Sequence, residues 1–231
     1  MDLTAPVDIY CERLDASFWS EPLNAVSNAA FILAALWAAF EARRRRLHWP
    51  SIWLLIVLAA LIGVGSFLFH TFATGWSALT DVLPIWGFVL AYALISIAHL
   101  GGVAPRRIAF VLAALVALGV LFWIALPAPD PAQAPVPRAP DRFNGSGQYL
   151  PAVIAMVIWS VIAVARRHPV RWWFVAATGT FMLSLSLRTY DIALCDVWPY
   201  GTHVFWHLLN GTMIALLLQA LIRNTNKETS P

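Results

Sequence analysis

Seven apolar stretches divide this chain, at about 24–40, 50–69, 82–100, 108–126, 149–165, 172–187 and 204–222. Each approaches the ~20 residues that a helix needs to cross a bilayer. Lipid offers no partner to backbone N–H and C=O groups, so a spanning segment must satisfy them internally. The pattern predicts an all-α membrane protein, a bundle of seven transmembrane helices. Composition agrees: 60% of residues are hydrophobic and 12% charged, against roughly 25% charged in a soluble domain. One domain is expected over 1–231, with an outer N-terminal segment at 1–23 and a Pro-rich outer loop at 127–147.

Basic residues set the orientation of such a bundle, because they stay on the cytoplasmic side. Arg43 to Arg46 follow the first stretch, Arg106 and Arg107 the third, Arg166, Arg167 and Arg171 the fifth, and Arg223 and Lys227 the seventh. Only Arg13, Arg138, Arg142 and Arg188 fall on the other side. The N-terminus is therefore expected outside and the C-terminus in the cytoplasm. The opening MDLTAPVDIY is acidic and lacks the basic start of a signal peptide. The net charge of +3 comes from these turns and implies no nucleic-acid partner. The compact loops and Arg-rich turns suit a bacterial inner membrane.

Within these apolar surroundings a few polar residues stand out. His70 ends the second stretch, Asp81 opens the third, and His203 and His207 open the seventh. All four fall at the outer boundary, although three distant parts of the chain supply them. An unpaired polar group in lipid is costly, so their shared depth points to one site. Three neutral imidazoles with an open position form the ligand set of a catalytic zinc. His203 and His207, four apart, share a helix face, as do Ser66 and His70. His48, His99 and His168 fall at inner helix ends and read as interfacial.

Cys11 and Cys195 both lie on the outer side, where an oxidising compartment favours a disulfide between them. The N-terminal segment carries Asp8, Glu12, Asp15, Glu21 and Asn24. Such oxygen donors suit calcium; a solvated acidic segment, with Glu21 at a helix N-terminus, accounts for them as well. Asp191 and Asp196 read as loop acids, with Asp196 also able to reach a ligand histidine.

Taken together, these pieces resemble the alkaline ceramidases, part of a wider group of seven-helix membrane hydrolases that includes adiponectin receptor-like proteins. The matching residues are Cys11-Glu12, Glu21-Pro22-Leu23-Asn24 with Ser27-Asn28, Gly65-Ser66 with His70, Asp81, and His203 with His207. The resemblance implies zinc on His70, His203 and His207, with Ser66 and Asp81 beside it. It implies the Cys11–Cys195 disulfide, and a calcium site whose acidic positions match Glu12 and Glu21, with Asp15 and Asp8 matching less closely. The expected activity is hydrolysis of the amide of ceramide or a related N-acyl lipid drawn from the bilayer. Asp81 would carry the proton and Ser66 would donate to the oxyanion. Tyr149 is a second oxyanion candidate, or else a tyrosine of the interfacial belt. A heptahelical receptor with a structural zinc is the alternative. An ion transporter would need polar residues along the inner halves of the helices, which are apolar.

Overall fold

The computed structural model describes residues 2–125 and 143–224, and all its regular elements there are helical. A short helix α1 (Pro22–Ser27) leads through Asn28 into α2 (Ala29–Arg44). There follow α3 (Pro50–Phe72), α4 (Gly75–His99) and α5 (Pro105–Ala125). A 3₁₀ turn (Ser146–Tyr149) opens α6 (Leu150–Ala165). After α7 (Arg171–Tyr190) and a second 3₁₀ turn (Ile192–Leu194) comes α8 (His203–Asn224).

Six spans are long and apolar enough to cross a membrane, counting α1 and α2 together as Pro22–Arg44. The remaining predicted stretch, the sixth, is α7, long enough at 20 residues. Its apolar character is diluted by Thr178, Thr180, Ser184, Ser186 and Arg188. Two other boundaries differ from expectation. The third span begins at Gly75, so Asp81 stands inside the helix; Thr74 caps it, in a capping box with Ser77. The end of the predicted outer loop is ordered, with Ser146 and Tyr149 buried; its residues 127–142 lie outside the described residues.

The core forms where α2, α3, α4, α7 and α8 meet. Ala34, Ala35, Ala38 and Ala42 give α2 a flat face against which Leu218 and Leu221 of α8 and Leu55 and Ala59 of α3 pack. Small residues let helices approach where lipid provides no hydrophobic drive for association. A Cβ on Gly211 would lie 2.6 Å from the Ala30 Cβ, and one on Gly65 would strike the Thr80 carbonyl oxygen. This second contact locks the His70 end of α3 to α4, which fixes Ser66 and His70 relative to Asp81. By contrast α5 leaves Phe110, Leu115, Leu118, Leu121 and Phe122 exposed, a surface suited to lipid.

The N-terminal segment straps across the α3–α4 turn. Val7 N–H donates to Ala73 O, Gly75 N–H to Ala5 O and Trp76 N–H to Leu3 O. Ala73 ends α3 in the left-handed region, at φ 44°, which turns the chain sharply toward α4.

Candidate metal centre

His70 comes from the last turn of α3, and His203 and His207 from the first turns of α8. All three are buried at 1% exposure. One ring nitrogen from each lies within 4.8 Å of the others. Their bonding assigns the tautomers. Glu21 can only accept, so His70 Nδ1–H donates to Glu21 Oε2 at 2.6 Å. The Ser27 hydroxyl donates to Asn24 O, so His207 Nδ1–H is the donor in its 2.8 Å bond to Ser27 Oγ. Both rings then present an Nε2 lone pair, and these two nitrogens face each other at 3.1 Å. Two lone pairs at that distance call for a cation. His203 adds an Nδ1 with no protein partner, and Tyr10 stacks on its ring at 3.7 Å. Three imidazole nitrogens are a donor set that zinc fits.

A second layer holds these rings. Arg13 Nε donates to Glu21 Oε1 at 2.5 Å, and Asn24 Nδ2 to Glu21 Oε2 at 3.1 Å. Burial alone would raise the Glu21 carboxyl. The bond and charge of His70, with Arg13 and Asn24, outweigh burial and hold it below the ordinary carboxylate value. Arg13 also donates to Asp15 O at 3.1 Å and to His70 O at 2.9 Å. Carboxylate partners of this kind orient a ligand imidazole and raise its basicity.

The calcium expectation finds no support in the contacts of these carboxylates. Glu12 accepts from the N–H groups of Leu23 and Asn24 at 2.7 and 2.8 Å, capping α1. Burial nevertheless pushes its carboxyl up. Glu21 is committed to Arg13 and His70, and the guanidinium supplies the positive charge that a calcium ion would bring. Asp15 is exposed and accepts from Ser17 N–H at 2.8 Å; Asp8 is exposed. The segment's carboxylates serve as caps and ion-pair partners.

Asp81 and Ser66 reach the same region. Ser66 is buried at 4% exposure, one turn before His70. Its hydroxyl neighbours the Asp81 carboxylate, whose other basic neighbours are His70 and Arg188. Asp81 Oδ1 is buried without a partner. Tyr149 is buried at 8% and packed on Trp206 at 5.1 Å.

The disulfide joins Cys11 to Cys195. Beside it lies Asp191, expected as a loop acid but buried at 0% exposure. It accepts from Thr202 N–H and His203 N–H at 2.6 and 2.9 Å and from Cys11 N–H at 3.2 Å. It thus caps α8 at the first ligand histidine. Asp196, expected as a loop acid able to reach a ligand histidine, is exposed; Asp191 instead supports His203 through its backbone N–H. Arg188, read at first only as an outer cation, is also buried. It donates to Asn144 O and Ser146 Oγ, and lies 5.7 Å and 5.5 Å over the Tyr149 and Trp206 rings. The pattern of a Tyr10, an Arg13 or an Arg188 carries no spacing signal, which is why the sequence did not mark them.

Inward of the histidines, between α3, α4, α6, α7 and α8, lies a cavity of ≈ 130 Å³. Its wall is almost wholly apolar. Tyr149 and Trp206 stand at one end and Tyr92, Trp159 and Phe174 at the other. Such a shape suits a hydrocarbon chain.

The model of the Ceramidase family matches residues 3–231. No curated protein matches the chain. With the family match covering all but two residues, and with the buried histidine group already in hand, the chain belongs to the ceramidase family.

Proposed function

We propose that this protein is a zinc-dependent membrane amidohydrolase. It cleaves the N-acyl amide of ceramide or a related lipid into a fatty acid and a sphingoid-type base. The observation that carries this reading is a buried three-histidine group beside Asp81, whose carboxylate has one oxygen unpaired, at the end of an apolar cavity. A purely structural metal in a receptor would give that carboxylate nothing to do.

His70, His203 and His207 would hold the zinc, which supplies Lewis-acid polarisation of the carbonyl and acidification of water. Asp81 takes the proton of the attacking water at its carboxylate and delivers it to the departing amine. Ser66 Oγ–H donates to the oxygen that gains charge, and Tyr149 stands as a second donor. Glu21 and Ser27 keep His70 and His207 in the tautomers that leave Nε2 free. Asp191 fixes the start of α8, and with it His203. Apolar side chains of the cavity take one hydrocarbon chain and exclude water from it.

We further propose one domain over 1–231 that crosses the bilayer seven times, α7 included, with the N-terminal segment and the zinc site toward the outer face of a bacterial inner membrane. Supporting this, Glu41 pairs with Arg44, Arg45 and Arg223. Those basic ends of α2 and α8 thus share one side, opposite His70 and His203.

The test is metal analysis of the purified protein together with fatty-acid release from N-acyl lipids. Stoichiometric zinc is expected, lost in His203→Ala. Ser66→Ala should lower kcat roughly a hundredfold or more, the usual effect of losing one oxyanion donor. Wild-type turnover in Asp81→Ala would refute the hydrolytic reading.

A further inference from the structure

Among the described residues, Asn210 has both its side-chain nitrogen and its side-chain oxygen buried and unpaired. Other buried amides are half-satisfied: Asn28 Nδ2 donates to Asn24 O, and Gln219 Oε1 accepts from Arg223. Asn210 is 5% exposed and lines the cavity. It follows His203 and His207 at seven and three residues, on the same face of α8. The helix rise puts it about 4.5 Å further along the axis than His207. The cavity wall is otherwise apolar side chains and the aromatic residues Tyr92, Tyr149 and Trp206, and none of them pairs with the amide.

A carboxamide in such a place is expensive, since a buried donor or acceptor left unpaired has lost its bonds to water and gained none. Leucine would fill the same volume without that cost. The carboxamide offers one donor group and one acceptor group. A hydroxyl, which donates once and accepts, satisfies both sides at once. A plain methylene chain satisfies neither.

We infer that Asn210 binds a hydroxyl carried by the lipid chain that enters the cavity, within a few carbons of the amide that is cut. The preferred substrates are then N-acyl lipids hydroxylated close to that amide. The hydroxyl has two possible sources, the acyl chain or the long-chain base, according to which chain enters. This inference rests on the lipid-amidase reading for the position of the cut bond.

The experiment compares kcat/KM on matched lipids: plain acyl, α-hydroxyacyl and β-hydroxyacyl chains, each on a long-chain base with and without its hydroxyl beside the amide. Wild-type protein should favour one hydroxylated partner roughly ten- to hundredfold, the range for a buried neutral hydrogen bond. In Asn210→Leu that ratio should fall toward one, while Asn210→Ser should keep part of it. Preference confined to the acyl-hydroxyl arm identifies the acyl chain as the occupant; preference confined to the base arm identifies the base. Equal ratios in wild type and Asn210→Leu would overturn the inference and leave Asn210 paired with water alone. A second readout needs no turnover: the shift in thermal midpoint given by hydroxylated against plain fatty acid and by long-chain base with and without the hydroxyl. A shift that favours a hydroxylated ligand, lost in Asn210→Leu, would uphold the anchor even if no amide is cleaved. That outcome would instead sink the amidase reading. No such difference in either protein would overturn the anchor.

Discussion

The ion pair behind His70 separates two kinds of damage. Glu21 accepts from Arg13, His70 and Asn24, and both charged partners are nearly inaccessible, at 4% and 3% side-chain exposure. Breaking a buried pair by removing one partner costs about 3–5 kcal/mol, because the other charge is left uncompensated. Arg13→Met and Glu21→Gln should therefore both lower the thermal midpoint of the metal-free protein. Their effects on zinc should differ. Glu21→Gln leaves one accepting oxygen where two served Arg13 and His70, and replaces the negative charge that supports His70 with a neutral amide beside the remaining guanidinium. Loss of such a supporting partner lowers metal affinity about ten- to a hundredfold, or roughly 1.4–2.8 kcal/mol. Arg13→Met leaves the carboxylate in place and removes a positive charge near the ion, so zinc affinity should hold or rise. The double variant should recover part of the stability lost by either single change, since no buried charge is then unpaired. The assays are thermal unfolding of the stripped protein and zinc competition against a chromophoric chelator. Equal loss of zinc affinity in Arg13→Met and Glu21→Gln would refute the assignment of Glu21 as the partner that supports His70.

Three other outcomes follow from the same contacts. Reducing Cys11–Cys195 should destabilise the protein by about 2–4 kcal/mol, seen as a lower thermal midpoint and a gel-mobility shift; no change in midpoint would mean that Asp191 alone ties Cys11 to α8. Gly65→Ala should push α3 away from Thr80 and lower kcat while zinc stoichiometry stays intact, because the change falls between His70 and Asp81 and leaves the ligand bonds to Glu21 and Ser27 untouched. Removing calcium with a selective chelator should alter neither thermal midpoint nor turnover, since Arg13 and the α1 backbone already satisfy Glu21 and Glu12.

What the sequence revealed and what it hid follow from the period of each signal. Helical spans repeat over roughly 20 residues, so their number and order stand out even against uncertain ends. His70, Asp81, His203 and His207 stand out because lipid makes polarity rare. Depth alone was enough to group them, and the structure brings the three histidines together. The sixth span, α7, is harder, because the same hydroxyls that serve contacts inside a bundle lower its hydropathy: Ser184 Oγ–H donates to Trp206 O, and Thr178 and Ser160 pair at 2.9 Å. The acidic N-terminal segment is hard to read for a different reason. A carboxylate looks the same in sequence whether it will meet a metal, a guanidinium or a helix end. Only the fold, which brings Arg13 to Glu21 and Glu12 to the N–H groups of α1, decides among these. Asp191 was hidden in the same way, eleven and twelve residues from the N–H groups it accepts.

Polar satisfaction also divides scaffold from site. Among the described residues, the charged groups around the histidines are fully engaged: Glu21 with three donors, Arg13 with three acceptors, Asp191 with three N–H groups, while the side-chain oxygens of Asn24 and Asn28 stay buried and unpaired. In a low-dielectric interior such saturation gives rigidity, because any displacement strands a partner. Of the eight buried side-chain atoms without a partner among the described residues, four belong to the site and the cavity beside it. His203 Nδ1 stands in the histidine group, Asp81 Oδ1 beside it, and both ends of the Asn210 amide further in. A bundle that can satisfy Glu21 so fully could have satisfied these too, or replaced them with apolar residues at lower cost. Their alignment from the metal centre into the apolar cavity is the order in which a lipid amide and its attached chain would meet them.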